Sequence, residues 1–333
     1  MGLLVDGRWS ERWHDTASTD GRFVRSESAF RQWVSGTREP GRGGSLGFIA
    51  EPGQYHLYVS PACPWAHRVL IMRALKGLET SISLSVVHWL MLDHGWTFET
   101  GPGVVPDPII GARYLYNIYA HADPGFTGRV TVPVLWDRRQ DTIVSNESSE
   151  IIRMLNSSFD GVGAARGDYY PFELRGEIDE VNSDVYEALN NGVHRAGFAT
   201  TRASYEEAVL PLFDTLDWLE DRLAGQRYLV GERLTEADIR LFTTLVRFDS
   251  IYHGHFKCSM RRLVYFPSLW AYTRDLLQTP GFGSTFISNT RSAITTRATA
   301  PSIRPALYRW DPSSTLRFHI TALPSPLTRN SAA

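Results

Sequence analysis

The sequence predicts an α/β domain followed by an all-helical domain, and three observations carry that expectation. Near residue 56 a short apolar strand turns directly into a helical pattern and then into a second apolar strand. Between residues 129 and 155 two further strands precede another helix. After about residue 165 the apolar periodicity is helical throughout. With 333 residues and 43% hydrophobic content, the chain is long enough for two packed domains.

Residues 1–52 are polar and rich in Gly, Ser and Arg, with a flexible marker at Gly41-Arg42-Gly43-Gly44. They read as an N-terminal extension wrapped on the surface and anchored by Phe23, Phe30 and Trp33. The α/β domain is placed at 53–160. Its first strand is His56–Val59, its first helix carries Val69-Leu70-Ile71-Met72, and Ile82–Val87 completes the βαβ order of a parallel pair. Between Trp89 and Tyr119 lies a long insertion with Trp96, Pro102, Pro106 and Pro108; loops of that length are more often functional than idle. Arg129–Trp136 is a turn into a strand, Thr142–Val144 a second strand, and Glu150–Leu155 the start of a helix. This is the order of a thioredoxin-like domain. The helical domain is placed at 165–287, with helices over Phe172–Leu189, Ser204–Leu223, Glu236–Phe248 and Leu269–Leu277. Thr235-Glu236-Ala237-Asp238 is a capping box ahead of Ile239, Leu241, Phe242 and Leu245, a structural motif with no catalytic role.

Composition narrows the function classes. A net charge of −2 gives no electrostatic case for nucleic acid or an anionic membrane as partner. No window approaches an uninterrupted 18-residue apolar run, and Met1-Gly2-Leu3-Leu4-Val5-Asp6 is too soon polar for a signal peptide, so a cytoplasmic protein is expected. Two cysteines, Cys63 and Cys258, suit a reducing compartment and exclude both a disulfide framework and a cysteine zinc site. No metal is expected.

The chemistry centres on Cys63, which opens Cys63-Pro64-Trp65-Ala66-His67-Arg68 where the first strand turns into the first helix. Helix N-termini carry unpaired N–H groups and partial positive charge, and both favour thiolate over thiol. Pro64 suits the first helical position, which needs no N–H. Ala66 stands where a C-x-x-C pair has its second cysteine, so the natural oxidised form is a mixed disulfide with an outside thiol.

Val132-Pro133 falls at a strand edge beside that helix. A cis proline there would turn the backbone of the preceding residue outward, ready to pair with a peptide-like ligand; an ordinary edge-strand proline is the lesser alternative. Glu147-Ser148 opens the next helix, so the Ser148 N–H and hydroxyl suit a carboxylate and Glu147 suits an ammonium. Without context the pair reads as a solvent-facing cap. Together the three features describe a pocket for glutathione, which offers a backbone to pair, a γ-glutamyl head with both charges, and a thiol to place at Cys63.

Longer motifs carry a family resemblance. They are Ser60-Pro61-Ala62-Cys63-Pro64-Trp65-Ala66-His67-Arg68, Gly95-Trp96, Tyr119 to Pro124, Gly128-Arg129-Val130-Thr131-Val132-Pro133-Val134-Leu135-Trp136-Asp137, Asn146-Glu147-Ser148-Ser149-Glu150-Ile151-Ile152 and His255-Phe256-Lys257-Cys258. Over roughly residues 50–286 the chain resembles the glutathionyl-hydroquinone reductases, the Xi class of glutathione transferases. That resemblance implies a thioredoxin-like domain followed by an all-helical glutathione-transferase domain, with Cys63 as nucleophile. It also implies that Trp96, Arg129, Val130, Glu147 and Ser148 hold glutathione, with Pro133 at the strand edge and Tyr252 in the hydroquinone pocket. The implied activity is reduction of glutathionyl-hydroquinones with glutathione as co-substrate, in a homodimer. Two alternatives stay open: a broader omega-like thiol transferase or dehydroascorbate reductase, and a non-catalytic binder of glutathione or aromatic ligands.

The chain departs from the family at two places. His194 stands where the family has tyrosine, and imidazole can donate a hydrogen bond or proton near neutral pH, so it is expected to stand in. Near Ile287 the resemblance stops. Codons for Ala293 to Thr299, read from each third base, can spell the family's His-Tyr-Tyr-x-Ser-His, and Ser302 to Pro312 likewise permits Ile-Asn-Pro-Thr-Gly-Ile-Val-Pro-Leu-Gly-Pro. Residues 288–333, with six arginines and one acid, are therefore expected to be a frame-shifted, disordered tail that takes with it a family tyrosine of the hydroquinone pocket. Sequencing the transcript across residues 280–312 tests this: a read that matches the present codons in every transcript contradicts it.

Overall fold

An Asp6-Gly7 turn, with φ of 46° and 71°, joins two short strands at the start of the chain, β1 (Leu3–Val5) and β2 (Arg8–Ser10). Left-handed Asp-Gly is the preferred two-residue hairpin turn. This computed structural model describes residues 2–36 and 47–286, all within one compact unit. Gly41 to Gly44 and the segment 288–333, on which the reading-frame expectation falls, lie outside the described residues.

After β3 (Val34–Ser35) and β4 (Phe48–Ile49), which pair in parallel, comes the βαβ unit. It consists of β5 (Tyr55–Val59), α1 (Pro64–Leu75) and β6 (Ile82–Val86). All five β5 residues are buried because both faces of the strand are covered. The one polar residue, His56, meets the Ser83 and Ser85 hydroxyls at 2.7 and 2.9 Å.

The insertion expected as loop up to Tyr119 holds a helix, α2 (Leu115–Ala122). Its Gly and Pro density masked a local start signal, the Asn117 side chain that accepts from the Tyr114 N–H at 3.1 Å. The stretch expected as a turn into a strand from Arg129 holds a short strand, β7 (Gly128–Arg129), before the expected one, β8 (Val134–Asp137). Pro133, with no N–H to donate, lies between them. The domain closes with β9 (Thr142–Ser145) and α3 (Ser148–Ser157).

The main sheet runs β6-β5-β8-β9, with β5 and β6 parallel and the other neighbours antiparallel. A second small sheet, β2-β1-β7, joins the N-terminal hairpin to the strand that carries Arg129.

The helical half comprises α4 (Arg175–Val185), α5 (Gly192–Phe198), α6 (Arg202–Ala224), α7 (Glu236–Arg247) and α8 (Pro267–Gln278). Wide helical turns at Tyr186–Asn190 and Phe248–Tyr252 extend α4 and α7. α7 is buried almost all round and packs against α1, so the second half lies directly on the helix that begins after Cys63. Buried Glu236 ties the halves together: it accepts from Arg153 of α3 at 2.7 Å and from Asn182 of α4 at 2.9 Å.

Candidate active site

Cys63 is the N-cap of α1, with extended backbone (φ −88°, ψ 121°) and Pro64 at the first helical position. Its Sγ lies 3.4 Å from the Val132 carbonyl, to which the thiol donates, and the Val132-Pro133 bond is cis. The residue keeps part of its surface, yet protein crowds the sulfur. Burial pushes the Cys63 thiol above its ordinary value, against the Ala66 and Trp65 N–H groups and the Arg247 and Arg25 charges, which favour thiolate. The helix start thus acts in the direction expected from sequence, and desolvation outweighs it.

The turn that carries Cys63 is pinned from α7. Arg247 donates to the Pro61 carbonyl at 2.9 Å, to the Thr243 carbonyl at 2.8 Å and to His67 Nδ1 at 2.9 Å. With Nδ1 accepting, the His67 proton sits on Nε2, which faces the Thr285 hydroxyl at 3.2 Å.

Around the cis proline lie the residues expected to hold glutathione. Pro133 is buried at the start of β8, Val130 is buried beside β7, and Trp96 is half-buried on the loop before α2. Gly95 has φ of 65°, and a Cβ there would stand 2.8 Å from the Trp9 indole, so the N-terminal hairpin closes on the Gly95-Trp96 turn only because that residue is glycine. Glu147 caps α3 and Ser148 opens it. The Glu147 carboxylate accepts from the Ser149 N–H at 3.0 Å, the Ser149 hydroxyl at 2.8 Å and the Ser28 hydroxyl at 3.0 Å. Burial works to raise its pKa, but these hydrogen bonds and the Arg68 charge hold it below the usual range, so it stays ionised. Arg129 donates to the backbone carbonyls of Arg12 and Trp13 at 2.7 and 2.9 Å. The Glu147 carboxylate is therefore both the cap of α3 and a candidate ligand group.

Next to Cys63 an aromatic wall rises from the helical half. Trp65 stacks on His194 at 5.7 Å, and His194 stands edge-on to Tyr252 at 6.0 Å and to Phe256 at 5.7 Å. His194 lies 3.1 Å from the Asn190 carbonyl through Nδ1, which must therefore carry the proton. Burial, then the Arg25 charge, lowers its pKa to about 3. Of the two expected roles, the hydrogen bond is spent on the Asn190 carbonyl and the imidazole is no acid near neutral pH, which leaves the Nε2 lone pair as an acceptor to offer. Burial also raises the Tyr252 hydroxyl well above its ordinary value, so it remains protonated and able to donate.

With this geometry in hand, the comparisons with known proteins are specific. Residues 62–158 match the glutathione S-transferase N-terminal domain, and residues 202–275 its C-terminal domain. Glutathionyl-hydroquinone reductase PcpF of Sphingobium chlorophenolicum is 63% identical over 269 residues, 81% of this chain and 83% of the relative. The chain belongs to the glutathionyl-hydroquinone reductases. Glutathionyl-hydroquinone reductase YqjG of Escherichia coli is 56% identical over 286 residues, 86% and 87% of the two chains. The glutathione-bound structure of YqjG is similar with a TM-score of 0.80 over 93% of this chain and 96% of that one, at 49% identity. A Xi-class glutathione transferase from Natrialba magadii gives 0.81 over 87% and 88%, at 47% identity.

Within this reductase family member, sequence reasoning missed Arg25, Arg247 and Asn191. Arg25 and Asn191 carry no local motif, and Arg25 comes from a segment outside both matched domains. Arg247 ends an ordinary amphipathic helix.

Buried neutral histidines make the reductase fold acid-sensitive. Burial is the largest cause that holds His56 down at about 4, His194 at about 3 and His67 well below its ordinary value. The unfolded chain takes up these protons below pH 6.5 and the folded chain does not, so stability rises with pH across that window and is lost as pH falls below 6.5. About 1 kcal/mol per histidine is expected to be missing at pH 5.5 relative to pH 7.5. Urea unfolding at the two pH values checks this, and equal midpoints contradict it.

Proposed function

We propose that this chain reduces glutathionyl-hydroquinones to hydroquinones, with glutathione as co-substrate. The observation that carries the reading is a free cysteine at the N-cap of α1, with Ala66 where a C-x-x-C pair has its second cysteine, in a chain 63% identical to a protein named for that reaction. In this reading the Cys63 thiolate attacks the glutathione sulfur of the substrate's keto tautomer. The carbon–sulfur pair passes to the ring, whose oxygen takes the charge and then a proton, while the ring carbon keeps the proton gained on tautomerisation. Hydroquinone leaves and Cys63 is left as a mixed disulfide with glutathione. A second glutathione thiolate attacks that disulfide, releasing glutathione disulfide and the Cys63 thiolate.

Glutathione is held in this reading by Trp96, Arg129, Val130, Pro133, Glu147 and Ser148. Tyr252 donates to a hydroquinone oxygen, and His194 accepts from a hydroxyl through Nε2. The proposal includes a homodimer in the cytoplasm that needs neither nucleic acid nor a membrane. Among the described residues no helix is long and apolar enough to cross one.

The test is turnover of glutathionyl-menadiol by the purified chain with excess glutathione. Release of menadiol and glutathione disulfide is the expected result. Faster turnover of dehydroascorbate would move the assignment to a broader thiol transferase, and binding of glutathione without turnover would make the chain a binder.

A further inference from the structure

The N-terminal segment crosses the reaction centre and is tied down on both sides of it. On the helical side the Thr200 N–H donates to the Gly21 carbonyl at 3.0 Å, and Arg22 pairs with Glu207 at 2.8 Å. On the other side the Ser28 hydroxyl donates to Glu147, and the Phe30 N–H to Asn146 Oδ1 at 3.1 Å. Arg25 sits between these anchors. Its Nε donates to Asn191 Oδ1 at 2.8 Å, and its guanidinium carbon lies 4.8 Å from the Trp65 ring centroid and 5.4 Å from that of Phe23. Among the described residues its two terminal nitrogens have no hydrogen-bond partner, and no carboxylate pairs with it.

A guanidinium kept half-buried with no carboxylate at ion-pair distance is costly to fold. Sandwiched near two aromatic rings, this one keeps its charge aimed by stacking and leaves its donors open. Among the groups that feel that charge are Cys63, Glu147, Tyr186, His194 and Tyr252, and its stacking on Trp65 sets the cation beside the aromatic wall. Arg247 also acts on Cys63, but its nitrogens are committed to Pro61, His67 and Thr243. Arg68 stacks on Trp65 at 4.6 Å and also acts on Cys63, and its Nε has no partner among the described residues, but it is fully buried. Arg25 is the partly exposed cation with donors to offer a reacting group.

We propose that Arg25 is a catalytic cation of this site, whose terminal nitrogens receive the negative charge as it passes from the Cys63 sulfur to the hydroquinone oxygen. This rests on the reductase reading. The step is the one already written: the thiolate charge is consumed in forming the sulfur–sulfur bond, and an equal charge appears on the ring oxygen when the carbon–sulfur bond breaks. A fixed donor aimed at that oxygen is worth most in the transition state, where the charge develops.

Arg25→Gln is therefore expected to lower kcat/KM for glutathionyl-menadiol by about 10²-fold. The loss is expected to be smaller for a chlorinated glutathionyl-hydroquinone, whose more acidic hydroquinone needs less help to carry the charge. Arg25→Lys should recover part of the loss. Arg22→Ala, which cuts the neighbouring tie to Glu207, should leave both substrates unaffected. Equal losses for both substrates, or the same loss in Arg22→Ala, would overturn the proposal in favour of a strap that merely holds the fold. If Arg25→Gln does not fold by urea unfolding, Arg25→Lys makes the same substrate comparison. If the unaltered chain releases no hydroquinone, the reductase reading has failed on its own. The rate of Cys63 alkylation by iodoacetamide at fixed pH then decides Arg25: a fall in the variant supports the charge, and an unchanged rate overturns it.

Discussion

Cys63→Ser is expected to lower turnover of glutathionyl-menadiol by at least about 10³-fold, the scale on which enzymes lose activity with their nucleophile. The serine hydroxyl is nearly the same size and can donate to the Val132 carbonyl as the thiol does at 3.4 Å, so the fold should survive. What is lost is chemical. A hydroxyl ionises far less readily than a thiol, and an oxygen–sulfur adduct would not be resolved by glutathione as a disulfide is. Menadiol release measures the rate, and an intact mass spectrum after substrate alone should show a glutathione adduct on the parent chain and none on the variant. Retained turnover in Cys63→Ser would remove the covalent mechanism altogether. Because burial raises the thiol, alkylation of Cys63 in the ligand-free chain should keep accelerating from pH 7 to pH 9; a plateau at neutrality would show that the helix amides win after all.

Asp238→Ala is expected to cost on the order of 3–5 kcal/mol of stability. This fully buried carboxylate accepts from the Leu229 N–H at 2.9 Å, the Thr235 N–H at 2.8 Å, the Thr235 hydroxyl at 3.0 Å and the Tyr272 hydroxyl at 2.8 Å. Removing it leaves four donors without their acceptor and opens the start of α7, the helix whose last residue, Arg247, pins the Cys63 turn. Asp238→Asn keeps one acceptor oxygen and should lose less. Urea unfolding followed by circular dichroism gives the difference, and a loss below about 1 kcal/mol in Asp238→Ala would show that water replaces the carboxylate.

The same residues illustrate how far a linear reading reaches. Thr235 to Asp238 was legible as a helix start because a capping box is contained in four consecutive residues. The Leu229 and Tyr272 partners that make Asp238 a tie between elements were not. α2 was hidden inside an insertion because Gly and Pro dominate composition there, whereas the helix depends on one capping side chain and a short apolar run. Cys63, Val132-Pro133 and Glu147-Ser148 stood out because each sits at a strand or helix boundary, where an unusual residue has a local reason to be noticed. His194 stood out by position, but its loss of acidity did not, since it follows from burial and from the distant Arg25 charge.

The sequence by itself determined the two-part architecture, the place of the nucleophilic sulfur at a helix start and the absence of a second cysteine beside it. These depend on periodicity and on near neighbours in the chain, which the order of residues records directly. Only the tertiary structure decided which charges surround that sulfur: Arg247 arriving from the far end of α7, Arg25 from the N-terminal segment, and a neutral His194 rather than an acid. Burial and Coulomb interactions depend on distance through space, and the chain order does not record which distant side chains folding will bring together.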